Sequence, residues 1–341
     1  MARALGVSTA TVSRALNDHP NVSEAMKKRV RALAEEMGYV PNAVARSLNT
    51  KSTRTVGIVV PRITEGYLPW VVTSLSDLLV DRGYTSYNCY TEDSPYRERQ
   101  CLEMMLARRV DGLIWVPAEG EVTQAADVIQ TFLQRGIPVI CVDRYLKDLP
   151  VDIVATDNRL GAYHAVSALV RDGHRRIAYV YKYPEVSAQR DRFEGYRQAL
   201  EEAGLEVDEE LVAPGGTAAE IDLAIQKMLQ LEAPPTAIFC RNDLVAVRVL
   251  AALKRRHIRV PEDMSLICFD PPSEALDLIV QMSYVRQPAQ RIAFHALQLL
   301  MERMAVGLSS YTPRKILLTP DIVWRHSCAP PGKGSGKGEE R

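Results

Sequence analysis

Long apolar runs are missing from this 341-residue chain. No stretch approaches the roughly 18–20 apolar residues that a membrane helix needs. No apolar segment follows the positive charge in Met1 to Leu5, so a secretory leader is not expected and the chain should stay in the cytoplasm. Cysteine is sparse and unpatterned. Cys89, Cys101, Cys141, Cys240, Cys268 and Cys328 form no CxxC pair and no Cys/His spacing that suits zinc. Several lie in or beside apolar runs such as Pro138-Val139-Ile140-Cys141-Val142, where a free thiol acts as a small buried hydrophobe. Catalytic signatures are missing as well. No GxGxxG follows the first strand-like run, and neither a Walker A sequence nor a GxSxG elbow occurs. An enzyme, a metal site and a bound cofactor are therefore not expected, and no internal repeat points to a solenoid.

What is present divides the chain. Its length exceeds one ordinary core, so two or three domains are expected. The net charge of zero hides an asymmetry. Residues 1–54 carry nine Lys or Arg against four Asp or Glu, a balance of +5 that leaves −5 for the remainder. A basic end on an acidic body points to a polyanion at that end.

The basic end reads as helices. A short first helix ends at Leu5, with Gly6 as its stop. Ser8 caps a second that runs to about Leu16. Asn17 to Asn21 is a loop, and Ser23 caps a third helix with Met26, Val30, Leu33 and Met37 as an apolar stripe before Gly38. Pro41 can open a short helix over 42–48, too short to be stable alone in water. From Val56 onward, strand-like runs at 56–60, 85–89, 112–116, 139–142, 153–155, 177–181, 236–240, 265–269 and 316–318 alternate with helical segments. That alternation predicts βαβ units and mainly parallel strands, in two sheets rather than one.

The segment Leu5-Gly6-Val7-Ser8-Thr9-Ala10-Thr11-Val12-Ser13-Arg14-Ala15-Leu16-Asn17 resembles the helix-turn-helix of the lac repressor (LacI/GalR) family. Asn21-Val22-Ser23, the run from Gly38 to Leu48, Gly173-His174-Arg175-Arg176-Ile177 and Val260-Pro261-Glu262-Asp263 extend the likeness over nearly the whole chain. The resemblance implies an α/β protein: a small all-α helix-turn-helix head on a periplasmic-binding-protein-like body of two doubly wound α/β subdomains. The head would span 1–39, its first helix shorter than the family's, and the hinge helix and linker 40–54. The body would span 55–326, with one subdomain from 55–155 and 287–312 and the other from 157–284 and 315–326. Crossovers would fall near 155–157, 285–287 and 312–315, and a disordered tail over 327–341. The implied function is transcriptional repression of a pseudo-palindromic operator by a homodimer on the nucleoid, controlled by a small effector, a sugar or sugar derivative such as a sugar acid.

Residue chemistry agrees with that picture. On the second helix Val12, Ala15 and Leu16 point inward, leaving Thr9, Ala10, Ser13 and Arg14 for base edges in a major groove. Ser8, Thr11 and Asn17 suit phosphates. By resemblance, Leu48 is the wedge that a hinge helix inserts into the minor groove. Residues that follow strands are the candidates for the effector: Tyr67 and Leu68, Asp143 and Arg144, Asn242, and Asp270. In the run from Ser187 that opens a helix after the sixth strand, Arg192 is by resemblance the position that holds the ligand. Carboxylates and amides pair with hydroxyls, and an arginine fork suits a carboxylate or phosphate. Asn242 has a second reading as a helix cap. A binding protein without DNA activity, or an enzyme of doubly wound fold, would share the body but leave the basic head unexplained. If Leu48 is the wedge, Leu48→Ala lowers both operator affinity and DNA bend angle while the body stays folded. Gel shifts on circularly permuted fragments measure the bend, and an unchanged bend refutes the assignment.

Overall fold

The structure is a computed structural model that describes residues 1–16, 18–39, 52–64, 66–118, 123–146, 149–181, 187–272, 277, 279–308 and 312–332. The chain divides into two units, Met1–Thr53 and Arg54–Arg341.

In the first unit, helix α1 (Ala2–Leu5) ends on Gly6 at φ 66°, a left-handed stop that glycine adopts without strain. Helices α2 (Thr9–Leu16) and α3 (Glu24–Glu36) follow. Ser23 caps α3, accepting from the Met26 amide at 3.3 Å. Val12, Ala15, Val22 and Val30 form the core, and Met1, Ala2 and Leu5 pack against it from the first helix. The stripe on α3 is shorter than the sequence predicts. Met37 lies past the helix end and is 58% exposed, while Lys27, Val30 and Ala34 are buried. Lys27 buries its stem and reaches Asp18 at 3.1 Å and Glu24 at 2.7 Å, so a long charged side chain fills a position an apolar one could have taken.

The second unit holds two sheets. The first has the order β11-β5-β4-β3-β1-β2, every pair parallel: β1 (Thr55–Val60), β2 (Thr85–Tyr90), β3 (Gly112–Trp115), β4 (Val139–Val142), β5 (Asp152–Thr156) and β11 (Lys315–Leu318). The second has the order β12-β10-β9-β8-β6-β7: β6 (Ile177–Tyr181), β7 (Val212–Pro214), β8 (Ala237–Cys240), β9 (Ser265–Phe269), β10 (Ser283–Arg286) and β12 (Asp321–Val323). Only the β10–β12 pair is antiparallel. Central strands such as β1, β3 and β8 are buried along their length, which is why they read as continuous apolar runs.

Helices cover both faces of each sheet, giving each lobe two apolar clusters. Helices α4 (Leu68–Val80), α5 (Pro95–Ala107), α6 (Thr123–Gln134) and α11 (Ala289–Val306) belong to the first lobe. Helices α7 (Asn158–Arg171), α8 (Ser187–Glu202), α9 (Ala218–Leu229) and α10 (Asp243–Arg255) belong to the second. Local chemistry starts several of them. Asp157 caps α7, and Thr217 with Glu220 forms a reciprocal capping box on α9. Helices α7 and α8 touch closely because Gly195 has no side chain; a Cβ there would collide with the Arg159 carbonyl.

The chain passes between lobes at 156–158, at 286–289 and at 318–321. The third passage lies later than the expected 312–315. Lys315–Leu318 pairs with β5 and buries Leu318 in the first lobe's core, so that segment belongs to the first lobe. Residues 327–329, expected in a disordered tail, are instead held by the second lobe. Ser327 is wholly buried, donates to the Leu266 carbonyl and accepts the Ser283 amide at 2.7 Å. The Ala329 carbonyl accepts from Ser265 Oγ at 2.9 Å and lies 3.0 Å from His174 Nε2, which must therefore carry the proton. Residues 333–341 lie outside the described ones. All six cysteines are free, and Cys101, Cys141, Cys240 and Cys268 are buried. No helix among the described residues is long and apolar enough to cross a membrane.

One buried ion pair ties α11 to the first sheet. Asp152 is fully buried and takes Arg303 Nε at 2.7 Å, Arg303 Nη2 at 3.0 Å and the Arg314 amide at 2.7 Å. Arg303→Met would strand the carboxylate without its cation and cost about 3–5 kcal/mol. Urea unfolding of wild type and variant measures it, and a loss below about 1 kcal/mol contradicts this account.

Candidate effector cavity and DNA-reading helix

A cavity of about 300 Å³ lies where strands of both sheets end. Parallel strands point their carboxyl ends the same way, so the loops that follow them converge. Tyr67, Leu68, Asp143, Arg144, Arg192, Asn242 and Asp270 all line it. Gln189 and Arg241, neighbours of the candidates in sequence, line it as well, and the sequence reading missed Arg62, Asp93, Arg248 and Gln287, which line it too. Arg248 sits one turn into α10, where sequence alone reads it as a solvated helix face. Gln287 sits in the crossover expected near 285–287, but nothing in the sequence turns its side chain toward the cavity.

On the first lobe, Asp143 follows β4 in a left-handed conformation at φ 67°. Such backbone is uncommon outside glycine, though aspartate tolerates it better than most. Arg144 Nη1 donates to Asp93 Oδ1 at 2.6 Å and to the Pro117 carbonyl at 3.2 Å. Arg62 pairs with Glu92 at 3.2 Å. Tyr67 is buried, and burial, followed by the Asp143 charge, pushes its hydroxyl well above the usual tyrosine range. Asp143 stands near enough to act electrostatically, but the geometry falls short of a hydrogen bond. The Tyr67 hydroxyl, Asp143 Oδ1 and Gln189 Oε1 are buried without a partner. Leaving such a group unmatched costs about 1–3 kcal/mol, which a ligand can recover.

On the second lobe, Arg192 projects from α8 and is only 4% exposed. It donates from Nε to Asn158 Oδ1 at 2.8 Å and from Nη1 to the Arg241 carbonyl, and its guanidinium lies 3.7 Å from the centre of the Phe269 ring. Asn242 spends its oxygen on the Val245 amide at 3.0 Å, so it caps α10. The cap reading of Asn242 holds alongside its place on the cavity wall. Asp270 follows β9 at φ 69° and is buried. Burial raises its carboxyl to about 7, against the opposing pull of Arg192 and of a hydrogen bond from Gln287.

The lobes are joined across the cavity by side chains. Gln287 Nε2 donates to Asp270 Oδ1 at 2.6 Å, and its Oε1 accepts from Thr156 Oγ1 at 2.6 Å. On the other side Tyr145 donates its amide to Ser187 Oγ at 3.0 Å and its hydroxyl to Asp191 at 3.0 Å, while Lys315 donates to that hydroxyl at 2.8 Å. Among the described residues no His/Cys/Asp/Glu group could hold a metal ion.

In the head, Ser8 Oγ accepts the Thr11 amide at 3.1 Å and lies 2.9 Å from Thr11 Oγ1. Thr9, Ala10, Ser13 and Arg14 are exposed on one helix, while Val12 and Ala15 turn into the core. Asn17 and Leu48 lie outside the described residues, as does the 42–48 helix.

A helix-turn-helix head on a two-lobed body with a polar cleft defines an effector-controlled DNA-binding regulator. The family of bacterial regulatory proteins, lacI family, matches residues 1–42, and a periplasmic binding protein-like domain matches 166–328. The HTH-type transcriptional repressor PurR of Photobacterium profundum is 30% identical over 333 residues, covering 96% of this chain and 97% of that protein. A solved complex of the transcriptional regulator CelR with cellobiose is 28% identical with a TM-score of 0.71, covering 96% of this chain and 98% of the other. A sugar-binding transcriptional regulator (LacI family) from Escherichia coli, complexed with phosphate, is 25% identical with a TM-score of 0.68, covering 82% and 100%. The chain belongs to the lacI family of bacterial regulatory proteins. It is a DNA-binding transcriptional repressor with an effector-binding body.

Asp270 offers a test of the cavity's electrostatics. Its folded-state pKa lies above the unfolded value of about 4, so ionisation penalises the fold. Stability from this group is lost as pH rises from about 4 to about 7 and stays lost above. Asp270→Asn removes the penalty. At pH 8 the variant is more stable to urea than wild type by more than about 1 kcal/mol, and the gap shrinks toward pH 5. A gap of equal size at both pH values contradicts the assignment.

Proposed function

We propose that Tyr67, Asp143, Arg192 and Asp270 hold a small sugar-like effector between the lobes, with Leu68, Arg144 and Asn242 shaping its walls. The observation that carries this reading is the set of three unmatched buried oxygens, on Tyr67, Asp143 and Gln189, around one cavity. Asp143 Oδ1 and Gln189 Oε1 lack a donor and the Tyr67 hydroxyl lacks an acceptor for its proton, and a ligand hydroxyl can serve as either. The cellobiose complex of CelR supports a sugar as the class. Thr9, Ala10, Ser13 and Arg14 read bases in the major groove, and Ser8 and Thr11 set the register on phosphates. Asn17 and Leu48 join them as a phosphate contact and a minor-groove wedge on the strength of the sequence alone.

The working form is a homodimer acting on a pseudo-palindromic operator in the cytoplasm, on the nucleoid. Its support is an uncovered edge: β2 ends the first sheet with Tyr87 and Tyr90 exposed, and Trp70 and Val80 are exposed on the neighbouring α4. Two heads held at a fixed spacing match two half-sites. Effector binding favours one closure angle of the cleft, and residues 40–54 carry that preference to the heads as a change in the spacing they can reach.

Paired variants separate the two sites. Arg192→Ala removes the response of operator binding to ligand and leaves ligand-free operator affinity intact. Arg14→Ala costs about 1–3 kcal/mol of operator affinity and leaves ligand binding intact. Calorimetry with the cognate sugar and operator titration of both variants decide. Normal ligand affinity in Arg192→Ala moves the effector site elsewhere.

A further inference from the structure

Charge in the cavity is not matched evenly. The first lobe's arginines have carboxylate partners: Arg62 with Glu92 at 3.2 Å, and Arg144 with Asp93 at 2.6 Å. The second lobe's Arg192 and Arg248 do not. Arg192 is held by the Asn158 amide oxygen, the Arg241 carbonyl and the Phe269 ring. Arg248 Nη1 donates to the Gly216 carbonyl. These partners satisfy hydrogen bonds and carry no negative charge. Asp270, the carboxylate that acts on Arg192, gives its Oδ1 to Gln287 and forms no ion pair with Arg192. A buried cation without a counter-charge is costly, and an arginine fork is shaped for a carboxylate or phosphate. The unmatched oxygens of Asp143 and Gln189 ask for donors, and the Tyr67 hydroxyl asks for an acceptor of its proton. One cavity thus wants an acid from its cations and hydroxyls from its acceptors.

We propose that the effector is a small hydroxylated anion, a sugar carboxylate or sugar phosphate, whose acidic group docks on Arg192 and Arg248. This rests on reading the cavity as the effector site. The two sources share the anionic chemistry, and the test separates them.

A consequence is proton uptake. Asp270 faces Arg192 and Gln287, with Asp143, Asp243, Tyr67 and Cys268 also acting on it or acted on by it. The Arg192 cation opposes protonation of Asp270. An anion on Arg192 cancels that opposition, so Asp270 takes up a proton near pH 7 when the ligand binds. A neutral sugar donating a hydroxyl to Asp270 would favour the ionised carboxylate instead and would release protons.

The probes are matched sets: glucose, gluconate and glucose 6-phosphate, with the galactose and ribose equivalents and inorganic phosphate alone. Calorimetry of the full chain near pH 7, in two buffers of different ionisation heat, gives affinity and proton count together. The expected result is that an anionic sugar binds at least tenfold tighter than its neutral parent, with net proton uptake that Asp270→Asn abolishes. Arg248→Gln should weaken that anion about 10–100-fold and spare the neutral parent, while Arg248→Lys recovers part of the loss. Carboxylate against phosphate members tells which acid is taken. A neutral sugar that binds as tightly as its anion, or an anion indifferent to Arg248→Gln, overturns the proposal while leaving the effector site standing. If inorganic phosphate binds as well as any sugar anion, the site is an anion site without sugar recognition, and the proposal also fails. If no probe of either charge binds, the proposal fails; if a probe binds and Arg192→Ala binds it as tightly as wild type, the reading of the cavity itself fails.

Discussion

Gln287 is buried in the passage between the lobes, and both ends of its amide are used. Its nitrogen donates to Asp270 on the wall of the cavity, and its oxygen accepts from Thr156 at the end of β5. A buried amide must be matched at both ends or bear a desolvation cost of about 1–3 kcal/mol. That requirement fixes how Asp270 is presented to the cavity and how two of the three passages lie against each other. Arg192, stacked on the Phe269 ring beside Asp270, inherits its placement from the same corner. Any ligand that alters the charge of Asp270 therefore acts on a hydrogen bond shared with the passages between the lobes.

The lobes themselves are stiff. Each sheet is packed on both faces by apolar clusters with their largest side chains fully buried, so neither lobe deforms readily. Movement has to concentrate where the packing is polar and the chain is thin. The Tyr145 contacts with Ser187 and Asp191 bridge the lobes on another side through hydroxyls and charges that can be exchanged for others at little cost. Ligand binding can then choose among closure angles by its difference in affinity for them, and by nothing else. The head needs only its exposed Thr9, Ala10, Ser13 and Arg14 to be held on a stable surface, which Val12, Ala15, Val22 and Val30 supply from behind.

Much of this was legible in the sequence, for physical reasons. Buried parallel strands must be apolar nearly throughout, which is why β1, β3, β4 and β8 stand out in the sequence; β2 and β11, largely exposed at the edges of the first sheet, also lie where strand-like runs were read. The cavity candidates were found because ligands collect after strand ends, a rule about topology that needs no coordinates. Strands β7 and β10 escaped because Pro214 within β7 and Gln287-Pro288 just after β10 read as turn signals, and three-residue β12 is too short to show a period. The third passage was misplaced because Lys315–Leu318 is strand-like in either lobe, and only pairing with β5 assigns it. The tail from Ser327 to Ala329 looks polar in sequence, yet its hydroxyl and carbonyl are what the buried Leu266, Ser283, Ser265 and His174 groups require. Met37 followed helical periodicity past the point where the helix ends, and periodicity alone carries no stop.

The central claim is that occupation of the cavity and operator binding are one coupled equilibrium. Coupling free energy is reciprocal, so the direct measurement is ligand affinity on the free protein and on the protein saturated with operator. The predicted result is that the two ligand affinities differ by the same factor, about 5–150-fold, by which ligand changes operator affinity. Identical ligand affinities in the two states would contradict it.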